Sequence, residues 1–167
     1  SGEVGTVFSS EGHDLRIEAE HAPIGTLRGV IGVQHEDFDF SALGEEAFVP
    51  GTRTRKTGLF ALEELPWSGG TLSAGFRVER AHVDSNGDSA GAEPKFGASV
   101  ERSFTLRSLS LSNVYPLSSN WSLSGTLSST ERAPTYFELY ANGVHAATGA
   151  YEQGSTTLPK ERGTNID

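Results

Sequence analysis

Leu72, Ala74, Phe76 and Val78 alternate with Ser73, Gly75, Arg77 and Glu79. Successive side chains on a β-strand point to opposite faces, so this period of two describes a strand with one apolar and one polar face. The same alternation recurs from about 14 to 21 (Leu15, Ile17 and Ala19 against Arg16, Glu18 and Glu20) and from about 26 to 36 (Leu27, Ile31 and Val33 sharing a face). Further strands are expected over about 53–65, 97–115 and 121–130. In the last of these, Trp121, Leu123, Gly125 and Leu127 lie on one face and Ser122, Ser124, Thr126 and Ser128 on the other. Helical periodicity is nearly absent, so the expected fold is all-β and antiparallel.

The connections carry the second constraint. Short turns are expected at Ala22-Pro23-Ile24-Gly25, at Pro66-Trp67-Ser68-Gly69 and after Tyr115, and long segments at 37–52, 84–94 and beyond 130. Alternating short and long links between two-faced strands are the pattern of transmembrane β-barrels. Trp67, Tyr115 and Trp121 fall beside the short links, where an interfacial aromatic girdle would sit. In the strand over 97–115 the apolar parity shifts from Phe104 and Leu106 to Leu109 and Leu111, which predicts a β-bulge near Arg107-Ser108.

Hydrophobic residues make up only 35% of the chain and glycine reaches 20 residues, a composition better suited to turns and small inward positions than to a packed globular core. A net charge of −9 argues against nucleic acid as a partner, since phosphate binding needs clustered Lys and Arg. With no cysteine, disulfides and thiolate chemistry are excluded. No run of 18 apolar residues exists, so no transmembrane helix is expected, whereas barrel strands never produce such a run.

Glu131-Arg132-Ala133-Pro134-Thr135, Glu138-Leu139-Tyr140-Ala141-Asn142-Gly143 and His145-Ala146-Ala147-Thr148-Gly149 together resemble a signature of bacterial TonB-dependent outer-membrane receptors, departing at Val144 where the family usually has proline. Gly29-Val30-Ile31-Gly32-Val33-Gln34-His35 and the run from Asp39 to Pro50 resemble the metal-uptake branch of that family, zinc in particular. The resemblance implies that 1–167 is a partial barrel domain, six or seven strands of a roughly 22-stranded barrel. It places the plug domain and TonB box N-terminal to this segment and residues 161–167 at the start of a further strand. It also implies a bacterial outer-membrane location, lipid as a partner, and TonB as a partner through the plug. A metal ion or metal chelate would be the cargo, with zinc as transported ligand and no cofactor required. Open strand edges would let an isolated segment self-associate.

Candidate ligands come from the expected external loops. His145 offers an imidazole nitrogen, with Glu138 and Asn142 nearby, and Glu45 with Glu46 offers carboxylate oxygen. The other reading is that the glutamates are solvated loop charges and that His145 bonds within its own turn. His35 and Asp37, with Glu36 and Asp39, form a second acidic cluster that could take a cation through oxygen, or be solvated charge. Asp84-Ser85-Asn86-Gly87-Asp88 looks calcium-like but lacks the downstream bidentate glutamate and reads first as a turn. Glu63-Glu64, Arg16, Glu18, Glu20, Arg77 and Glu79 are expected to face a polar lumen. No catalytic fingerprint is present, so no catalytic residue is assigned.

Within the same family, a haem or siderophore receptor is the alternative cargo reading. Outside it, the alternative is a soluble β-sandwich binding a ligand or carbohydrate, which would pack its apolar strand faces into one shared core.

Overall fold

In a computed structural model, which describes residues 6–44, 47–145 and 148–167, the alternating segments form strands much longer than their apolar stretches. They are β1 (Val7–Glu20), β2 (Arg28–Leu43), β3 (Thr52–Trp67), β4 (Gly70–Ser85), β5 (Val100–Pro116) and β6 (Ser122–Arg132). A short helix α1 (Tyr136–Tyr140), a small pair β7 (Asn142–Val144) and β8 (Tyr151–Gln153), and a final strand β9 (Glu161–Ile166) follow. Seven strands make one antiparallel sheet in the order β1-β2-β3-β4-β5-β6-β9, with β7 and β8 paired separately.

The three short links lie at one end of this sheet and the three long ones, residues 44–51, 86–99 and 133–160, at the other. The tightest link is the β3–β4 turn, where Trp67 pairs with Gly70. Gly70 takes φ 112°, and a Cβ there would run into the Val114 carbonyl of β5, so only glycine fits. The segment over 37–52, expected as a loop, is strand through Leu43, because Phe38 and Phe40 pair opposite Thr54 and Thr52 and carry the ladder upward.

The predicted bulge is absent. The β4–β5 register runs unbroken from Thr71↔Val114 to Ser85↔Val100. What changes along β5 is which face is apolar. Leu109 and Leu111 lie on one face, exposed, beside Phe76 and Ala74, while Phe104 and Leu106 lie on the other, buried with Ala81 and Val83. The apolar side of the sheet therefore crosses over at about Val78 and Arg107, and the shift of parity is a reversal of environment along one regular strand.

Below that level the face carrying Ile17, Val33, Leu59, Phe76, Leu111 and Leu127 is apolar and mostly exposed, and no second sheet among the described residues covers it. The shared core that a β-sandwich requires is therefore missing from this face. The opposite face carries Ser73, Gly75, Ser110, Ser112, Thr126 and Ser128, with Arg77 bonded to Gln34 (3.2 Å) and paired with Glu79. Glu63 departs from expectation by sitting on the apolar face, where His21 Nε2 meets its carboxylate at 2.9 Å.

Candidate functional site

The long links fold over the polar face rather than standing free. Thr135 begins the process: its extended backbone (φ −73°, ψ 163°) starts α1, its hydroxyl accepts from the Glu138 amide, and the Glu138 carboxylate accepts from the Thr135 amide at 2.7 Å. This reciprocal cap satisfies two amide donors of a helix only five residues long. Arg132 grips the same carboxylate with two bonds (2.8 and 3.0 Å) and reaches Glu161 of β9 at 2.6 Å. Arg132 and the Thr135 amide hold the Glu138 carboxyl down at about 2.

Glu131 occupies the end of the β5–β6 ladder, where its buried carboxylate accepts from the Arg107 amide (3.0 Å), Lys160 (2.5 Å) and Arg162 (2.6 Å). One side chain thus ties β5 to β6 above their last backbone pair, Leu109↔Ser129, and joins them to the start of β9, where Glu131 itself pairs with Arg162.

The α1 segment then buries Leu139 (1% exposed) and Tyr140 against Ala81, Val83, Phe104 and Leu106, with the Tyr140 hydroxyl donating to the Val83 carbonyl. A second cluster joins Phe40, Phe48, Val49 and Ala141. The three links lock onto one another through polar backbone groups: Asn142 N donates to Phe48 O (2.7 Å), Asn142 Nδ2 to Lys95 O (2.6 Å), and Lys95 Nζ to Ala47 O (2.5 Å). Asp88 closes the middle link by accepting from the amides of Lys95, Phe96 and Gly97 at 2.7–3.0 Å. Those donors, Phe96 foremost, hold its carboxyl below the usual range.

Beneath this cap lies a cleft of about 430 Å³, whose walls are Phe38, Val83, Leu106 and Tyr136 together with charged Glu36, Lys56, Glu79 and Arg132. Glu36 and Lys56 bond at 2.9 Å, so much of that charge is paired inside the cleft.

The family model described as TonB dependent receptor-like, beta-barrel matches residues 6–167. The chain belongs to that family. Its members are outer-membrane nutrient transporters rather than enzymes, so the exposed apolar face is the lipid face, the small polar face looks into the lumen, and the locked links form an external cap. Trp67, Tyr115 and Trp121, exposed beside the short turns, mark the periplasmic margin.

Among the residues singled out from sequence, His145 lies in the external cap. Its Nδ1 is 3.0 Å from Thr148 Oγ1 and 3.8 Å from Glu152 Oε1, and its ring stands edge-on to Phe48 at 4.7 Å. Glu45 and Glu46 lie outside the described residues. His35 and Asp37 sit within β2 on the outer wall rather than in a loop, His35 against Thr57 (2.8 Å) and Asp37 in a two-bond pair with Arg53. Glu138 is taken up by Arg132 and the cap, and Asn142 by Phe48 and Lys95. The described residues contain no group of three or more His, Asp or Glu side chains arranged to hold a metal ion.

Sequence reasoning missed the bond of the Lys95 side chain to Ala47 and the role of Glu131, whose partners Arg107, Lys160 and Arg162 are 24 or more residues away, and neither leaves a local signal. It also missed α1, although Thr135-x-x-Glu138 is a readable capping pattern.

Proposed function

We propose that this chain is wall and external cap of a larger TonB-dependent barrel that imports a metal ion, zinc foremost, or a metal complex. The observation that carries the cargo reading is the setting of His145. Thr148 engages Nδ1 with Glu152 alongside, and Nε2 makes no hydrogen bond among the described residues. An imidazole oriented through one nitrogen presents the other to a metal, and an oxygen partner on the first raises its basicity. Further ligands would come from Glu45 and Glu46 and from parts of the receptor beyond this chain. His35 and Asp37, on the outer wall, would belong to a separate cation contact if they bind one.

The test is TonB-dependent uptake of labelled zinc by cells carrying the complete receptor, with its surface level checked. The account expects His145→Ala to lower zinc uptake at least severalfold at limiting zinc. Unchanged zinc uptake would remove His145 from the cargo path. Uptake of haem or an iron chelate in place of zinc would move the cargo to the alternative within the same family.

A further inference from the structure

Asp84-Ser85-Asn86-Gly87-Asp88, the run that looks calcium-like in sequence, spends most of its side-chain oxygens within the protein. Asp84 pairs with Arg55 at 2.9 Å, Ser85 Oγ accepts from the Gly87 amide at 3.1 Å, and Asp88 accepts from three amides of its own link. The Asn86 side chain is different: it is exposed and makes no hydrogen bond among the described residues. Only its backbone amide is engaged, donating to the Gly51 carbonyl at 2.9 Å. A second Asn-Gly pair, Asn142-Gly143, has the opposite setting. Asn142 Nδ2 donates to Lys95 O (2.6 Å), and its Oδ1 accepts from the Tyr151 hydroxyl (2.6 Å). Both glycines hold positive φ, 68° at Gly87 and 153° at Gly143, so what separates the two pairs is the freedom of the asparagine side chain.

Asparagine before glycine is open to reaction with its own backbone, because the next residue has no Cβ to screen its nitrogen from the side-chain carbonyl carbon. Base takes the Gly87 amide proton, the nitrogen attacks Asn86 Cγ, and the Cγ–Nδ2 bond breaks. The departing nitrogen regains that proton and leaves as ammonia, closing a cyclic imide. Water then opens the ring at one of two carbons. Attack at Cγ gives aspartate, whereas attack at the Asn86 backbone carbonyl carbon gives isoaspartate, whose main chain runs through Cβ and Cγ.

We propose that Asn86 is a self-modification site of the external cap, converting through the cyclic imide to aspartate and isoaspartate, while Asn142 in the same cap is protected by its hydrogen bonds. The reaction needs only water and base, and it is independent of the cargo. Freeing the Asn142 carboxamide breaks two bonds of ordinary strength, so Asn86 converts about tenfold faster or more. The isoaspartyl product also lengthens the main chain between two anchors, the Asn86 amide on Gly51 O and the Asp88 amide on Gly97 O (2.8 Å). The turn has no room for this, since even a Cβ on Gly87 would stand 2.5 Å from Gly97 O. Conversion therefore loosens the hold of Asp88 on the amides of Lys95, Phe96 and Gly97.

The test ages the complete receptor in bilayers in warm, mildly alkaline buffer and digests it in acid. Mass spectrometry then follows the peptides containing Asn86 and Asn142, with isoaspartate read by electron-transfer fragmentation. The expected result is acid and isoaspartate accumulating at Asn86, faster at higher pH, and about tenfold slower or more at Asn142. In urea, where both carboxamides are free, the two rates should converge. Tyr151→Phe should speed Asn142 severalfold in the folded receptor and leave Asn86 unchanged. Hydrogen exchange of the 95–97 amides should quicken with ageing, and Asn86→Gln should remove that change. No conversion at Asn86, equal rates at the two sites in the folded receptor, rates that stay apart in urea, an unchanged Asn142 in Tyr151→Phe, or 95–97 amides that exchange alike before and after ageing would each overturn the proposal.

Discussion

Glu138 concentrates several jobs in one carboxylate: it caps α1, accepts from Thr135 and receives the Arg132 fork that also reaches β9. Its folded pKa of about 2 lies below the ordinary 4.5, so its contribution to the cap is whole above pH 4.5 and is lost as pH falls towards 2. Hydrogen exchange of the α1 amides in the complete receptor should therefore be flat with pH above 4.5, after correction for intrinsic rates, and accelerate below it. Glu138→Gln should weaken protection above pH 4.5 and flatten that step. Thr135→Ala should cost about 1 kcal/mol of local stability, the usual loss for a helix cap. The capping pair was legible as Thr135-x-x-Glu138. Glu131 was not legible, because what makes it structural is its placement beside Lys160 and Arg162 of a distant segment.

At the scale of the element, β5 shows why alternation located strands well and their environments poorly. The shift from Phe104 and Leu106 to Leu109 and Leu111 has two physical causes available to it: an inserted residue that turns the strand, or a change in what each face meets. Only the second operates, since the register with β4 is unbroken and Phe104 and Leu106 meet the α1 cap from within. Strand ends were underestimated for the same reason. Above the lipid, β2 carries Asp37 and Asp39, whose polarity resembles loop composition although their backbones remain paired with Arg55 and Arg53 of β3. A charge on the two faces of β5 should have unequal costs. Leu111→Lys should destabilise the folded barrel by about 2–4 kcal/mol in lipid, whereas Ser110→Lys, facing the lumen, should cost far less. Urea titration of the receptor folded into vesicles measures both.

Across the whole molecule, one sheet separates three environments. A lipid face runs up to Val78 and Arg107, a lumenal face of small polar residues backs it, and an external cap of interlocked links closes over the upper lumen. The all-β antiparallel organisation and the sidedness of the links were legible from spacing alone. The cap was not, because the contacts joining Asn142, Lys95 and Phe48 cross between links that share no sequence pattern. The most direct measurement of this division is a scan of single cysteines through 103–112 in the complete receptor in bilayers, spin-labelled and probed by oxygen and by a polar relaxant. This chain has no cysteine of its own, so each label within it is unique. The account predicts unbroken period-two alternation, with 109 and 111 exposed to lipid, 110 and 112 to the aqueous lumen, and 104 and 106 shielded by the cap. A slip of phase at 107–108, or no lipid-exposed positions at all, would contradict it.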